Sequence, residues 1–403
     1  MSLSHELITT AQEVGLGNYR PAPLVVASGH GRHLRDTEGR DYLDLTAGNA
    51  VTAVGHAHPR VTEAVARQAA AVLHTSNLFH NEPSVRLAQE LIRRTPFDRV
   101  FLCNSGAEAN ETLIKLARRH HYRLGDTGRV GIIATTGGFH GRTMGALTLT
   151  GRDVYKVGMG PLLGGVDHVA YNDLGAVEKA IGPGTAAVIV ETVQAEAGIV
   201  VGNDDYLRGL RELCDDHGAL LLFDEVQTGY GRTGRFLSWE WSGVVPDACS
   251  LAKGIAAGLP MGAVAARESL AQALPPGSHA STFGGNPVVC AAALAVLDIL
   301  DDESLVENAA TRGAALAAGL AALVDDPATP VTEVRGRGLL QGLVLADHIA
   351  PARVLDRLRE RGVLLSRVGI QVLRFSPALN ITADELRQGL TVVTKVLREY
   401  GAA

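Results

Sequence analysis

Short apolar runs alternate with longer amphipathic stretches through most of the chain. The runs RVFLCN, VGIIAT, AAVIVE, ALLLFDE and AVAA around Val264 are strand-sized and lack polar alternation. That is the pattern of strands buried on both faces. Between them, Glu108 to His121, Asp205 to His217 and Pro287 to Leu300 repeat apolar positions at helical spacing. The alternation predicts an α/β fold with a mainly parallel sheet covered by helices on both faces. Near Leu297 the texture changes to long helical stretches, the segment DDPATPV, and the strand-like pieces GRGLLQGLVLA and VLLSRVGIQVLRFSP. These predict a smaller α+β C-terminal domain. The segment HLRDTEGRDYLDL reads as two short strands about a turn at Glu38 and Gly39, ahead of a helix from Pro59 to Leu73. The expected division is an N-terminal segment over 1–50 packing with the small domain, a large domain over 51–297, and a small domain over 298–403.

Composition narrows the function. A chain of 403 residues has room for more than one domain. Aromatics are only 4%, so Val, Leu and Ala must fill the interior. The formal net charge of -6 gives no basic surface for nucleic acid or an anionic membrane, which leaves small metabolites as the expected ligands. Cys103, Cys214, Cys249 and Cys290 show no metal or redox spacing and are read as reduced core thiols. No run reaches the ~18 apolar residues of a membrane helix, and the start carries no leader pattern, so a cytoplasmic location is expected.

Several segments carry chemistry. In ALLLFDEVQTGYGRTG an apolar strand ends in Asp224, Glu225 and Gln227, where ligands gather in open α/β sheets. A buried carboxylate there needs a cation, which a protonated ring nitrogen would supply, although an acid capping the loop has the same letters. Gly229, Gly231 and Gly234 match a dinucleotide fingerprint, but the following RFLSWEWSGVVPD is no amphipathic helix, so that reading is set aside. Lys253 is the lone charge between Ser250 and Ala266. Desolvation would make it a nucleophilic amine; a surface loop lysine is the plainer alternative.

Ser105, Gly106 and Ala107 open the helix in FLCNSGAEANETLIKLARRH, a seat for phosphate or simply an ordinary cap. Phe139 could stack on a planar cofactor, and Arg142 could take a substrate carboxylate; His140 beside them reads as structural. A buried lysine, a strand-end aspartate, a phosphate cradle and a stacking ring together are the parts of a pyridoxal phosphate site.

At these residues the chain resembles the class III, or ω-amino acid, aminotransferases of the fold type I pyridoxal-phosphate enzymes, and within them the acetylornithine type. The motifs are NYRPAPLVVASGHG, YLDLTAGNAV, GHAHP, LHTSNLF, NSGAEAN, FHGRT, FDEVQTGYGRTG, LAKG, STFGGNP, RGRGLL and LRFSPAL. The resemblance implies a seven-stranded sheet in the large domain and a homodimer with shared sites. It implies that Lys253 bonds to the cofactor aldehyde, Asp224 pairs with the pyridine nitrogen, and Gln227 lies near the phenolic oxygen. Ser105, Gly106 and Ala107 would hold the phosphate, Phe139 would stack on the ring, and Ser281 and Thr282 would reach the partner's phosphate. Tyr19 and Arg142 would bind the donor's α-carboxylate, Arg374 that of 2-oxoglutarate, and Glu196 would mask Arg374 when the donor is bound.

The implied activity moves the terminal amine of N-acetylornithine to 2-oxoglutarate in arginine biosynthesis, with ornithine, succinylornithine or 4-aminobutyrate as rival donors. A decarboxylase, an aminomutase and a non-catalytic binder are the remaining alternatives. The sequence departs from the family pattern at Thr192, Ala195 and Ala197, at Ala256 and Ala257, and at Arg35.

Overall fold

The structure is a computed structural model describing residues 3–401. Its central sheet has seven strands, ordered Arg99–Cys103, Gly262–Ala266, Ala248–Leu251, Leu220–Asp224, Thr185–Glu191, Gly131–Thr135, Val166–Val169. Gly262–Ala266 runs antiparallel to both neighbours, and every other pairing is parallel. Alternate residues of each strand feed opposite layers, as the two-residue side-chain period requires. Val188, Val190, Leu221 and Phe223 pack with Leu207, Leu210 and Cys214 of the helix Asp204–His217. Ala187, Ile189, Leu220 and Leu222 pack instead with Leu113, Ile114 and Ala117 of the helix Gly106–Arg123. Apolar layers on both faces explain why these strands read as unbroken apolar runs. In register, Asp224 pairs with Glu191 on one side and Ser250 on the other, so the strand ends meet at one edge.

A second, antiparallel sheet joins Val331–Arg337, Leu340–Leu345, Val372–Phe375 and Ser366–Val368, accompanied by Leu305–Val324 and Ala383–Gly401. The hairpin His33–Asp36 and Asp41–Asp44 forms about the expected turn, and Val363–Leu364 adds in parallel to its second strand. The change of texture near Leu297 marks no break in the backbone, because the helix Pro287–Asp302 runs straight through it.

The glycine-rich loop after Asp224 packs on the C-terminal half of the chain. Buried Arg232 donates from Nη1 to the carbonyls of Pro377 at 2.5 Å and Leu339 at 3.3 Å. Burial lowers its guanidinium to about 9, with Arg374 adding repulsion. A Cβ on Gly338 would run into the backbone of Thr233, and one on Gly313 into that of Gly338. The loop is followed by the short turn Ser238–Trp241, not by the helix a dinucleotide would need. The four cysteines are free and buried. Burial pushes Cys103, Cys214 and Cys290 up to about 12. Among the described residues no group of side chains has the arrangement of a metal site, and no helix is long and apolar enough to cross a membrane.

Candidate active site

A cavity of about 430 Å³ opens at the carboxyl ends of the central strands, lined among others by Ser105, Gly106, Ala107, Phe139, Arg142, Glu196, Asp224, Gln227 and Lys253. Residues from widely separated segments thus converge: Asp224 from a strand end, Ser105, Gly106 and Ala107 from a helix start, and Phe139, Arg142, Glu196 and Gln227 from the loops and turns that follow strands.

Asp224 ends Leu220–Asp224 and is 3% exposed. Its Oδ2 accepts from Asn110 Nδ2 at 2.7 Å and from His140 Nδ1 at 2.8 Å, and its Oδ1 accepts from the Val226 amide at 2.9 Å. Burial acts to lower the pKa of His140, but the hydrogen bond and charge of Asp224 outweigh it and hold it above its ordinary value. Glu191, one strand over, accepts from the Phe139 amide at 2.8 Å, and burial raises its carboxyl to about 8.

Lys253 sits in the turn Lys253–Ala256 with φ at 45°, in the left-handed region that a side chain disfavours. Backbone strain of this kind clusters at functional sites. Burial depresses its ammonium to about 8, with Arg374 adding repulsion. Ala257 is left-handed too, with φ at 50°.

Ser105 caps Gly106–Arg123 by accepting from the Glu108 amide at 3.1 Å. The ordinary cap is therefore present, and the first-turn amides of Gly106 and Ala107 still open on the cavity. A Cβ on Gly106 would fall 2.7 Å from a Val226 methyl, so only glycine keeps this cradle open.

At the rim, Arg374 is 2% exposed and spends all three nitrogens. Nη1 donates to Glu196 Oε1 at 2.6 Å, Nη2 to Asn49 Oδ1 at 2.6 Å, and Nε to Ser366 Oγ at 3.1 Å. Glu196 lies between the paired strands Val193–Gln194 and Val200–Val201, so the Ala195 and Ala197 departures leave the ion pair intact. Asn49 sits on a turn wound left-handed, with φ of 45°, 59°, 66° and 64° over Ala47–Ala50. Such a turn costs about 1–2 kcal/mol per non-glycine residue.

Three expected site residues lie apart from this cluster. Tyr19 is 82% exposed and outside the cavity lining. Thr282 is exposed, while the hydroxyl of Ser281 accepts from Asn104 Nδ2 at 3.0 Å within its own chain. Asn110 and Asn49 are contacts that sequence reasoning passed over, and His140, read there as structural, bonds Asp224. Asn110 had a visible signal: it shares the apolar stripe of Leu113, Ile114 and Ala117.

The cavity fits pyridoxal phosphate on its own chemistry. Among the described residues both amide atoms of Gln227 are buried without a partner, as is His140 Nε2. A fixed carboxylate, a desolvated amine and a helix start supply partners for a ring nitrogen, an aldehyde and a phosphate.

Comparison with known proteins agrees. Residues 16–397 match the family model described as aminotransferase class-III. The chain is 45% identical over 378 residues to the acetylornithine aminotransferase of Gloeobacter violaceus, covering 94% of each. It superposes on the ornithine aminotransferase of Toxoplasma gondii with a TM-score of 0.96 and 34% identity, covering 99% of this chain and 96% of that one. For the acetylornithine aminotransferase of Elizabethkingia anophelis the TM-score is 0.89 at 32% identity, covering 99% and 100%. The chain belongs to the class-III aminotransferases, pyridoxal-phosphate enzymes of fold type I that pass an amino group from an amine donor to a keto acid.

Proposed function

We propose that this chain moves the terminal amine of N-acetylornithine to 2-oxoglutarate, giving the semialdehyde and glutamate, as a cytoplasmic enzyme of arginine biosynthesis. The observation that carries this reading is the ion pair of Arg374 with Glu196 at 2.6 Å. A free Arg374 would seize the donor's own α-carboxylate and present its α-amine to the reacting centre. Masked, it leaves the terminal amine to enter, and the carboxylate must bind elsewhere. Glu196 turning aside would release Arg374 for 2-oxoglutarate, so one cavity serves two substrates in turn, with ping-pong kinetics. A decarboxylase or aminomutase has no use for such a pair.

When bound, pyridoxal phosphate supplies an electrophilic aldehyde and a ring that withdraws electrons from the carbon bearing nitrogen. Lys253 would hold it covalently. Burial depresses its ammonium to about 8, so the freed amine would exchange protons near neutral pH and would be the base for that carbon. Asp224, fixed by Asn110, His140 and the Val226 amide, would keep a ring nitrogen protonated. The Ser105, Gly106 and Ala107 amides would hold the phosphate, Gln227 the phenolic oxygen, and Phe139 one face of the ring. Arg142, with Tyr19 brought in from the N-terminal segment, would take the donor's carboxylate.

We also propose a homodimer in which the loop with Ser281 and Thr282 reaches the second copy's phosphate. Thr282 is the exposed member of the pair. The division at 1–50, 51–297 and 298–403 is part of the same reading.

The test is a screen of the donor half-reaction with acetylornithine, ornithine, succinylornithine and 4-aminobutyrate, following conversion of the bound cofactor from its aldehyde to its amine form. Acetylornithine should give the highest kcat/KM. Ornithine faster than acetylornithine would overturn the assignment, and carbon dioxide or an isomer without glutamate would overturn aminotransfer.

A further inference from the structure

Arg142 is held by aromatic faces. Its Cζ lies 3.8 Å from the centroid of Tyr155 and 5.6 Å from that of Phe139. Among the described residues it makes no hydrogen bond or ion pair. Stacking fixes the plane of a guanidinium and leaves all five N–H donors unspent. A carboxylate partner would have fixed it equally well, but would have cancelled its charge and occupied its fork. Tyr155 is itself fixed: Phe139 packs edge-on against it at 6.1 Å and 88°, and Arg152 lies 4.9 Å from its centroid. Arg152 in turn donates from Nη1 to the backbone carbonyl of Glu196 at 3.0 Å. One ring therefore touches the arginine at the cavity mouth, the stacking phenylalanine, and the residue that tethers the Glu196 segment.

We propose that Tyr155 is a positioning residue for the donor: its ring orients the guanidinium of Arg142 with the hydrogen-bonding edge free for a carboxylate. This rests on the reading that Arg142 receives the donor's carboxylate. The contribution comes from the face of the ring, so the hydroxyl is dispensable and an aliphatic side chain is no substitute.

The test uses the full-length holoenzyme with Tyr155→Leu, Tyr155→Phe and Arg142→Met, assayed with acetylornithine, its methyl ester, and 2-oxoglutarate. Tyr155→Leu should raise KM for acetylornithine roughly tenfold, the size of a partly exposed cation–π contact, with kcat within about twofold. kcat/KM for the ester, whose carboxyl is masked and cannot engage the charge of Arg142, should stay within about twofold. Tyr155→Phe should restore the donor KM. If Tyr155→Leu does not yield folded enzyme, Tyr155→Gln carries the same expectation.

Equal losses on acetylornithine and its ester, or a Phe variant as impaired as the Leu variant, would overturn the proposal. Arg142→Met separates the two layers. If it raises the donor KM while Tyr155→Leu does not, only the role of Tyr155 falls; if it leaves the donor KM unchanged, the assignment of Arg142 falls first.

Discussion

At the floor of the cavity Asp224 is sealed from water and pinned by three donors, while at the mouth Arg142 makes no hydrogen bond among the described residues and lies against aromatic rings. Arg374 stands between these extremes, fully bonded but to a Glu196 side chain that is 27% exposed. Under the proposed function, the difference follows from what each must do. Groups that serve both halves of the reaction need one geometry and are locked on strand ends. Groups that tell two substrates apart keep a partner they can exchange, or none. Floor substitutions should therefore damage both half-reactions alike, and rim substitutions should split them.

The largest effect is expected at the floor. Lys253→Ala should slow both half-reactions by at least ~10³, the usual cost of losing a proton-transfer group. Single-turnover traces of the cofactor absorbance would reveal it, and a variant slowed in only one direction would erase the contrast. Next, Arg374→Ala should raise KM for 2-oxoglutarate roughly 30-fold, the value of a charged hydrogen-bonded contact, and leave the donor half within about threefold. Steady-state kinetics with each substrate varied in turn measures this, and equal damage to both halves would place Arg374 with the floor.

The smallest effect is on the backbone that carries Lys253. Ala257→Gly should stabilise the protein by up to about 1 kcal/mol, since glycine adopts its left-handed φ of 50° without penalty. Chemical denaturation would detect the gain, and a loss would mean that the Ala257 methyl contributes more through packing than the strain costs.

Much of the floor was legible in the sequence. Lys253 stood out as a lone charge in an apolar stretch, and Asp224 as an acid at the end of an unbroken apolar run; both are local patterns. The strand-helix alternation likewise gave the sheet, since strands covered on both faces show no polar positions. The supports beneath Asp224 were harder. His140 is brought to it across 84 residues and Asn110 across 114, and no local pattern records such a meeting. The left-handed turn at Ala47–Ala50 was invisible because only Gly48 and Asn49 hint at it, while the two alanines argue for an ordinary helix. Tyr19 is the converse case: motif similarity names it, and the single chain leaves it outside the cavity lining.

The contact of Gly338 with Thr233 and Gly313 sets a limit on how this sequence can drift. Backbone touches backbone there, so one added methyl acts as a wedge between the loop that follows Asp224 and the half of the molecule that bears Arg374. Random mutagenesis should find this seam nearly as intolerant as Lys253, although none of its three residues lines the cavity.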